Sequence, residues 1–179
     1  DKSDGNIGTC SLDTETTLIV PGEVPEYILG MAYNGKCVYL IKKQDIVSFF
    51  KLNNKDRIFY ANAAFDLFVL EKMNAINLID EVEKGHKRVV DLLLLGQLVD
   101  IAQKGITKPH SLDSLTQKYL EVKMDKKIEA EVDGEIVDVR MSYDRFLRDE
   151  KVDYIKMESI HEFIHYACVD AVVTFELSK

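Results

Sequence analysis

The stretch HEFIHYACVDA, residues 161–171, can be read in three ways, and the fold turns on the choice. His161, Glu162 and His165 spell HExxH, which on a helix sets two imidazoles one turn apart for zinc. In the same stretch Tyr166 stands four residues before Asp170, and His165 stands five before it. Ser159 followed by Glu162 has capping-box spacing, so a helix is expected to begin there. Its apolar residues Ile160, Phe163, Ile164, Ala167 and Ala171 make one core-facing side. At roughly 100° per residue, Tyr166 and Asp170 lie about 40° apart on one edge of that side, and His165 lies roughly 140° from Asp170. His161 and His165 share the opposite edge, and one helix does not aim both edges at one site. The zinc reading also lacks a third ligand. The extended protease pattern asks for Gly at 168 and His at 171, where the chain has Cys168 and Ala171. HExxH is therefore read as coincidence, with both histidines on a solvated flank. A zinc protease would instead carry stoichiometric zinc.

Asp170 gains meaning from carboxylates elsewhere in the chain. LDTETT (12–17) supplies Asp13 and Glu15, which point to the same side of a strand. Two adjacent carboxylates repel unless a cation lies between them. FYANAAFDLFVL (59–70) supplies Asp66 in an apolar stretch, with Asn62 one helical turn earlier. An ionised acid in such surroundings needs a partner or a metal. Taken singly, each is as well explained by a solvated turn or a helix-surface acid. Taken in order, DxE, NxxxD and YxxxD form a far more specific set. Four carboxylates converging on two divalent cations describe a phosphodiester-hydrolysis site. All-oxygen ligation suits Mg²⁺ or Mn²⁺ better than zinc.

The surroundings agree with an α/β fold. The 179 residues are 46% hydrophobic, enough for a single domain with a sizeable core. NIGTCSLDTET (6–16) reads as a strand running into a turn. YILGMAY (27–33) and KCVYLI (36–41) flank Asn34-Gly35, a two-residue hairpin signal. QDIVSFFKL (44–52) reads as a short helix and RIFYA (57–61) as a strand. AAFDLFVLEKMN (63–74) has helical periodicity through Phe65, Phe68, Val69 and Met73. RVVDLLLLGQLVD (88–100) starts β-like and continues as a buried helix. SLDSLTQKYL (111–120) places Leu112, Leu115, Tyr119 and Leu120 on one helical face. Residues 127–141 read as an inserted hairpin turning at Asp133-Gly134 and pairing Ala130 with Val137 and Ile128 with Val139. Its apolar face is expected to cover part of the core as a flap.

The formal net charge of −8 argues against a broad basic face of the repressor kind. It leaves open a site that binds phosphate through metals. No apolar run approaches membrane-spanning length and no signal peptide opens the chain. The absence of an initiator Met is read as an excised domain or a processed chain. Cys10, Cys37 and Cys168 lack metal-ligand spacing and are expected to be buried reduced thiols of an intracellular protein.

On these blocks the chain resembles the DEDD superfamily of 3′–5′ exonucleases. DTET, NAAFDLFVL, VVDLLLLGQLVD, HSLDSLTQKYL and YACVDAVVTFEL are similar, in order, to the proofreading exonuclease domain of family A DNA polymerases. The resemblance implies a ribonuclease H-like mixed five-stranded sheet with flanking helices. It implies Asp13, Glu15, Asp66 and Asp170 as ligands of two divalent cations, Mg²⁺ or Mn²⁺. It implies Tyr166 as the residue that orients the attacking water, and Thr16, Ile19, Asn62 and Phe65 near the terminal nucleotide. The expected substrate is a single-stranded 3′ end, DNA favoured over RNA, with a polymerase domain as a possible partner. A stand-alone exoribonuclease like ribonuclease D, a histidine-branch enzyme using His165, and a non-catalytic binding module are the rivals. The stretch 121–158 departs from the family's usual helical connection.

Overall fold

The computed structural model describes residues 5–84, 88–106, 108–125, 128–132, 134–143, 145 and 161–179. Strand β1 (Cys10–Thr16) is the middle of a five-stranded sheet of order β3-β2-β1-β4-β5. On one side β2 (Tyr27–Tyr33) and β3 (Val38–Lys42) make an antiparallel meander. On the other, β4 (Ile58–Tyr60) and β5 (Val89–Asp91) run parallel to β1. The mixed five-stranded sheet with flanking helices is the architecture the resemblance implies. Because β1 and β4 are parallel, their C-terminal ends share one edge. Whatever follows β4 is therefore delivered beside the DTET end of β1.

Alternation along β1 sorts its residues between two layers. Ser11 hydrogen-bonds through its hydroxyl to the Ala171 carbonyl at 2.6 Å, so Ser11, Asp13 and Glu15 face helix α6 (His161–Leu177). Leu12 faces the other layer with Val69 and Leu70 of α2 (Ala63–Lys72), and with Ile46, Phe49 and Phe50 of α1 (Ile46–Leu52). The α6 layer includes Leu29 and Met31 of β2 and a separate two-stranded ribbon, β6 (Glu129–Val132) and β7 (Glu135–Asp138). The ribbon pairs Ala130 with Val137, as its pattern predicts, and Val139 N–H closes it on the Ile128 carbonyl at 3.0 Å. Its apolar residues Ala130, Val137 and Val139 are buried. Asp133 of its turn lies outside the described residues.

Five expectations need correction. The β2–β3 connection is four residues, Asn34–Cys37, because the Asn34 side chain accepts hydrogen bonds from the Lys36 and Cys37 amides and widens the turn. In α2 the buried face runs through Ala63, Asp66, Val69 and Leu70, leaving Phe68 54% exposed. After the short helix α3 (Leu78–Lys84), helix α4 (Leu92–Lys104) is not buried all round. Only Leu92, Gly96 and Asp100 are buried, and Leu94, Leu95, Leu98 and Ile101 are exposed. These buried positions recur every four residues because α5 (Leu112–Leu120) lies along one stripe of α4. A Cβ on Gly96 would meet the Leu115 side chain at 2.9 Å. Asp100 gathers Lys118 at 2.8 Å, Lys104 at 3.1 Å and His110 at 3.0 Å across the same contact. On α5 itself Leu115 and Thr116 are buried, whereas Tyr119 is exposed. Finally, only Cys10 is fully buried; Cys168 is partly so and Cys37 is exposed, all three being free thiols.

Candidate active site

The end of β1 carries Asp13 and Glu15 toward α6, and Thr14 between them points to the opposite layer. There the Thr14 hydroxyl donates to Asp66 Oδ1 at 2.7 Å, and Asp66 is 4% exposed. Asp66 sits in the first turn of α2, immediately after β4. That turn is held by Asp91, the last residue of β5. Its carboxylate accepts from Ala63 N–H at 2.9 Å, and from Leu93 N–H at 2.9 Å and Leu94 N–H at 3.2 Å. One side chain thus caps both α2 and α4, and fixes where Asp66 stands. From the other layer α6 brings Tyr166, buried at 8% exposure, and Asp170 one turn later.

Several of these groups feel one another's charge. Burial pushes Asp13 well above the usual carboxylate range, and the charges of Asp66, Glu15 and Asp170 push it further. Glu15 is raised to about 8 by burial, with Asp170 its strongest charged neighbour. Asp66 is raised to about 7 by burial, despite the Thr14 hydrogen bond that favours its charged form. Tyr166 is pushed up to about 12 by burial and by the charge of Asp170. Raised carboxylates clustered at a strand end mark a place where negative charge is costly unless a cation arrives. Among the described residues no three His, Cys, Asp or Glu side chains converge into a finished ion site. The donor set still suits a hard divalent cation: all oxygen, four carboxylates, with Asp66 nearly sealed from solvent.

Of the residues expected near a terminal nucleotide, Ile19 is 69% exposed and Asn62 is exposed just before α2. Thr16 and Phe65 are partly buried, and Phe65 packs on the α1–α2 side of the core. His161 and His165 are exposed, on the flank that the helix geometry assigns them. Ser159 and Ile160, where the capping signal falls, lie outside the described residues.

Three participants escape the motif reading. Asp91 has a visible signal, an Asp directly before an apolar helical run. Tyr143 and Arg140 have none. Both follow the ribbon β6–β7 and reach the site only through its docking. Tyr143 neighbours Glu15 and Tyr166, and the Arg140 charge lowers Asp13, Glu15 and Tyr166.

The 3′–5′ exonuclease family model matches residues 3–179, and the chain belongs to that family. Its fold is similar to that of the Aedes aegypti Nibbler EXO domain, with a TM-score of 0.62 at 15% identity over 95% of this chain and 75% of that one. Escherichia coli RNase D, an exoribonuclease involved in structured RNA processing, gives 0.59 at 16% identity over 95% of this chain. The catalytic core of Trypanosoma brucei RRP6 gives 0.60 at 14% identity, again over 95% of this chain. The chain spans 37% of the RNase D chain and 39% of the RRP6 chain. No curated protein matches it in sequence. Among the described residues no helix is long and apolar enough to cross a membrane.

Proposed function

We propose that this chain is a two-metal-ion 3′–5′ exonuclease of the tyrosine branch. It removes nucleoside 5′-monophosphates from the 3′ end of single-stranded DNA and serves as the proofreading domain of a family A-like polymerase. The observation that carries the reading is that burial and the neighbouring charge of Asp170 raise Asp13, Glu15 and Tyr166 together, with buried Asp66 among the charges acting on Asp13 and Glu15. Water attacks the terminal phosphorus, the bond to the penultimate 3′ oxygen breaks, and the strand is left one nucleotide shorter with a free 3′ hydroxyl. Two Mg²⁺ or Mn²⁺ ions held by Asp13, Glu15, Asp66 and Asp170 would supply the positive charge that eases ionisation of the water and departure of the oxygen.

Raised to about 12, the Tyr166 phenol keeps its proton at neutral pH. It therefore orients the water by a hydrogen bond and does not act as the base. Glu15, two residues from Asp13 on the same side of β1, is placed to accept the water's proton once it is ionised. Arg140 supplies a positive charge at the rim for a backbone phosphate. Ile19, Asn62, Thr16 and Phe65 would border the terminal nucleotide, Phe65 offering a face for stacking. A second reading, an exoribonuclease of the ribonuclease D type, draws on the likeness in fold to that enzyme.

The test is a gel time course with 5′-labelled single strands of DNA and RNA of one sequence, with Mn²⁺ or with EDTA. A ladder shortening from the 3′ end and abolished by EDTA is expected, DNA the faster. RNA shortening faster would favour the second reading. Asp170→Ala is expected to cut turnover by about 10²-fold or more with an unchanged circular dichroism spectrum. Full activity in that variant would overturn the site assignment.

A further inference from the structure

The ribbon β6–β7 stands apart from the main sheet, yet it ends inside the site. Beyond Val139, which is fully buried, Ser142 N–H bonds the Val139 carbonyl at 3.2 Å and Met141 N–H bonds Asp138 Oδ1 at 3.1 Å. This turn delivers Tyr143, 2% exposed, against the start of α6. The Tyr143 ring meets Phe163 edge-on, with centroids 5.6 Å apart, and lies tilted against Tyr166 at 6.5 Å. Its hydroxyl donates to the Phe163 carbonyl at 3.0 Å. Phe163 lies three residues before Tyr166, so that bond grips the helical turn carrying the phenol.

A hydroxyl buried beside acids is poor filler. Phenylalanine would cover the same apolar area without a polar group to satisfy. The hydroxyl gives its one proton to the Phe163 carbonyl, and the Glu15 carboxyl is its strongest charged neighbour. It therefore ties the end of the ribbon to helix α6, next to Glu15 of β1.

We propose that Tyr143 is a positioning residue for Tyr166, and that the β6–β7 ribbon is an internal brace of the active site. The proposal rests on the exonuclease reading above. Tyr143 touches neither substrate nor ion in this role; it acts by restricting the Tyr166 ring.

Its test is a double-mutant cycle. Tyr143→Phe and Tyr143→Leu are made alone and in the Tyr166→Phe background. Each is assayed for kcat and KM on a 5′-labelled single strand with Mn²⁺, and its Tm is recorded. Tyr143→Leu is expected to lower kcat about 30-fold with KM within about twofold, and Tyr143→Phe, which keeps the ring, to restore it to about fivefold below wild type. In the Tyr166→Phe background the two losses shrink to about threefold and about twofold or less, because the partner through which Tyr143 acts is already gone. Equal losses in both backgrounds, or Tyr143 variants within about twofold of wild type, would overturn the proposal. Should the leucine variant fail to fold, the phenylalanine pair decides on the same criterion. A wild-type chain that shortens neither DNA nor RNA with metal present sinks the exonuclease reading and this proposal together. An active wild type with additive losses removes this proposal alone.

Discussion

Replacing Asp66 by asparagine separates what the site costs from what it is used for. Burial raises Asp66 from 3.8 to about 7, so between those values the folded chain holds a proton that the unfolded chain has released. The associated stability is full below about pH 4 and is lost as the pH rises through about 7. A shift of about three units corresponds to roughly 4 kcal/mol. That is a ceiling, because Asp13 and Glu15 titrate together with Asp66 and relax as it ionises. Asparagine has the shape of the protonated acid and keeps an oxygen for the Thr14 hydroxyl. In EDTA, Asp66→Asn is expected to be about 1–3 kcal/mol more stable than wild type at pH 8, roughly 3–10 °C in Tm. The gain is expected to fade toward pH 4. Mg²⁺ at pH 8 should raise the wild-type Tm and leave that of the variant nearly unmoved, since an ion bound only by the folded chain stabilises it. The variant's nuclease activity should be lost. Thermal denaturation at pH 4, 6 and 8, with and without metal, reads all of this. A wild type equally stable from pH 5 to 8, with a variant no better at pH 8, would refute the view that burial holds Asp66 neutral.

Three further outcomes follow from the same geometry. Tyr166→Phe is expected to lower kcat by about 10²-fold, while His165→Ala on the exposed flank stays within about twofold; the reverse order would restore the histidine branch. Arg140→Ala should raise KM several-fold and flatten the salt dependence of binding by about one phosphate contact, measured by fluorescence anisotropy of a labelled strand in Ca²⁺. Asp91→Ala removes the cap of two helices at once and should cost about 1–3 kcal/mol in urea denaturation, with activity falling as α2 loosens; a Tm equal to wild type would refute the shared cap.

The parts legible in the sequence are those set by short-range pattern. DxE on a strand, NxxxD opening a helix and YxxxD on a late helix each need only the period of their own element, and all three landed where that period sends them. The ribbon pairing of Ala130 with Val137 was legible for the same reason. What was not legible depends on which neighbour covers a surface. Nothing in LLLLGQL says that α5 packs along Gly96 and leaves Leu94 and Leu98 in solvent. Nothing in VRMSY says that a ribbon separate from the sheet will fold back to put Tyr143 beside Tyr166. The Asn34-Gly35 signal marked a turn correctly but not its length, because the Asn34 side chain competes with the backbone for the amides that follow.

Packing bears more heavily than ligand counting on the choice among the readings of HEFIHYACVDA. Ser11 pins α6 through the Ala171 carbonyl, which turns Phe163, Ala167 and Ala171 onto the sheet. Bringing His161 and His165 to the end of β1 would require rotating the helix by roughly 140°. That would lift Phe163 out of its cluster, at about 2–3 kcal/mol for a phenyl ring alone. It would also break the Ser11 and Tyr143 bonds to the helix backbone. The existing rotation instead places a phenol and a carboxylate one turn apart beside Asp13 and Glu15, with the apolar face satisfied. The same side chains that bury the helix therefore choose which of its polar edges can do chemistry.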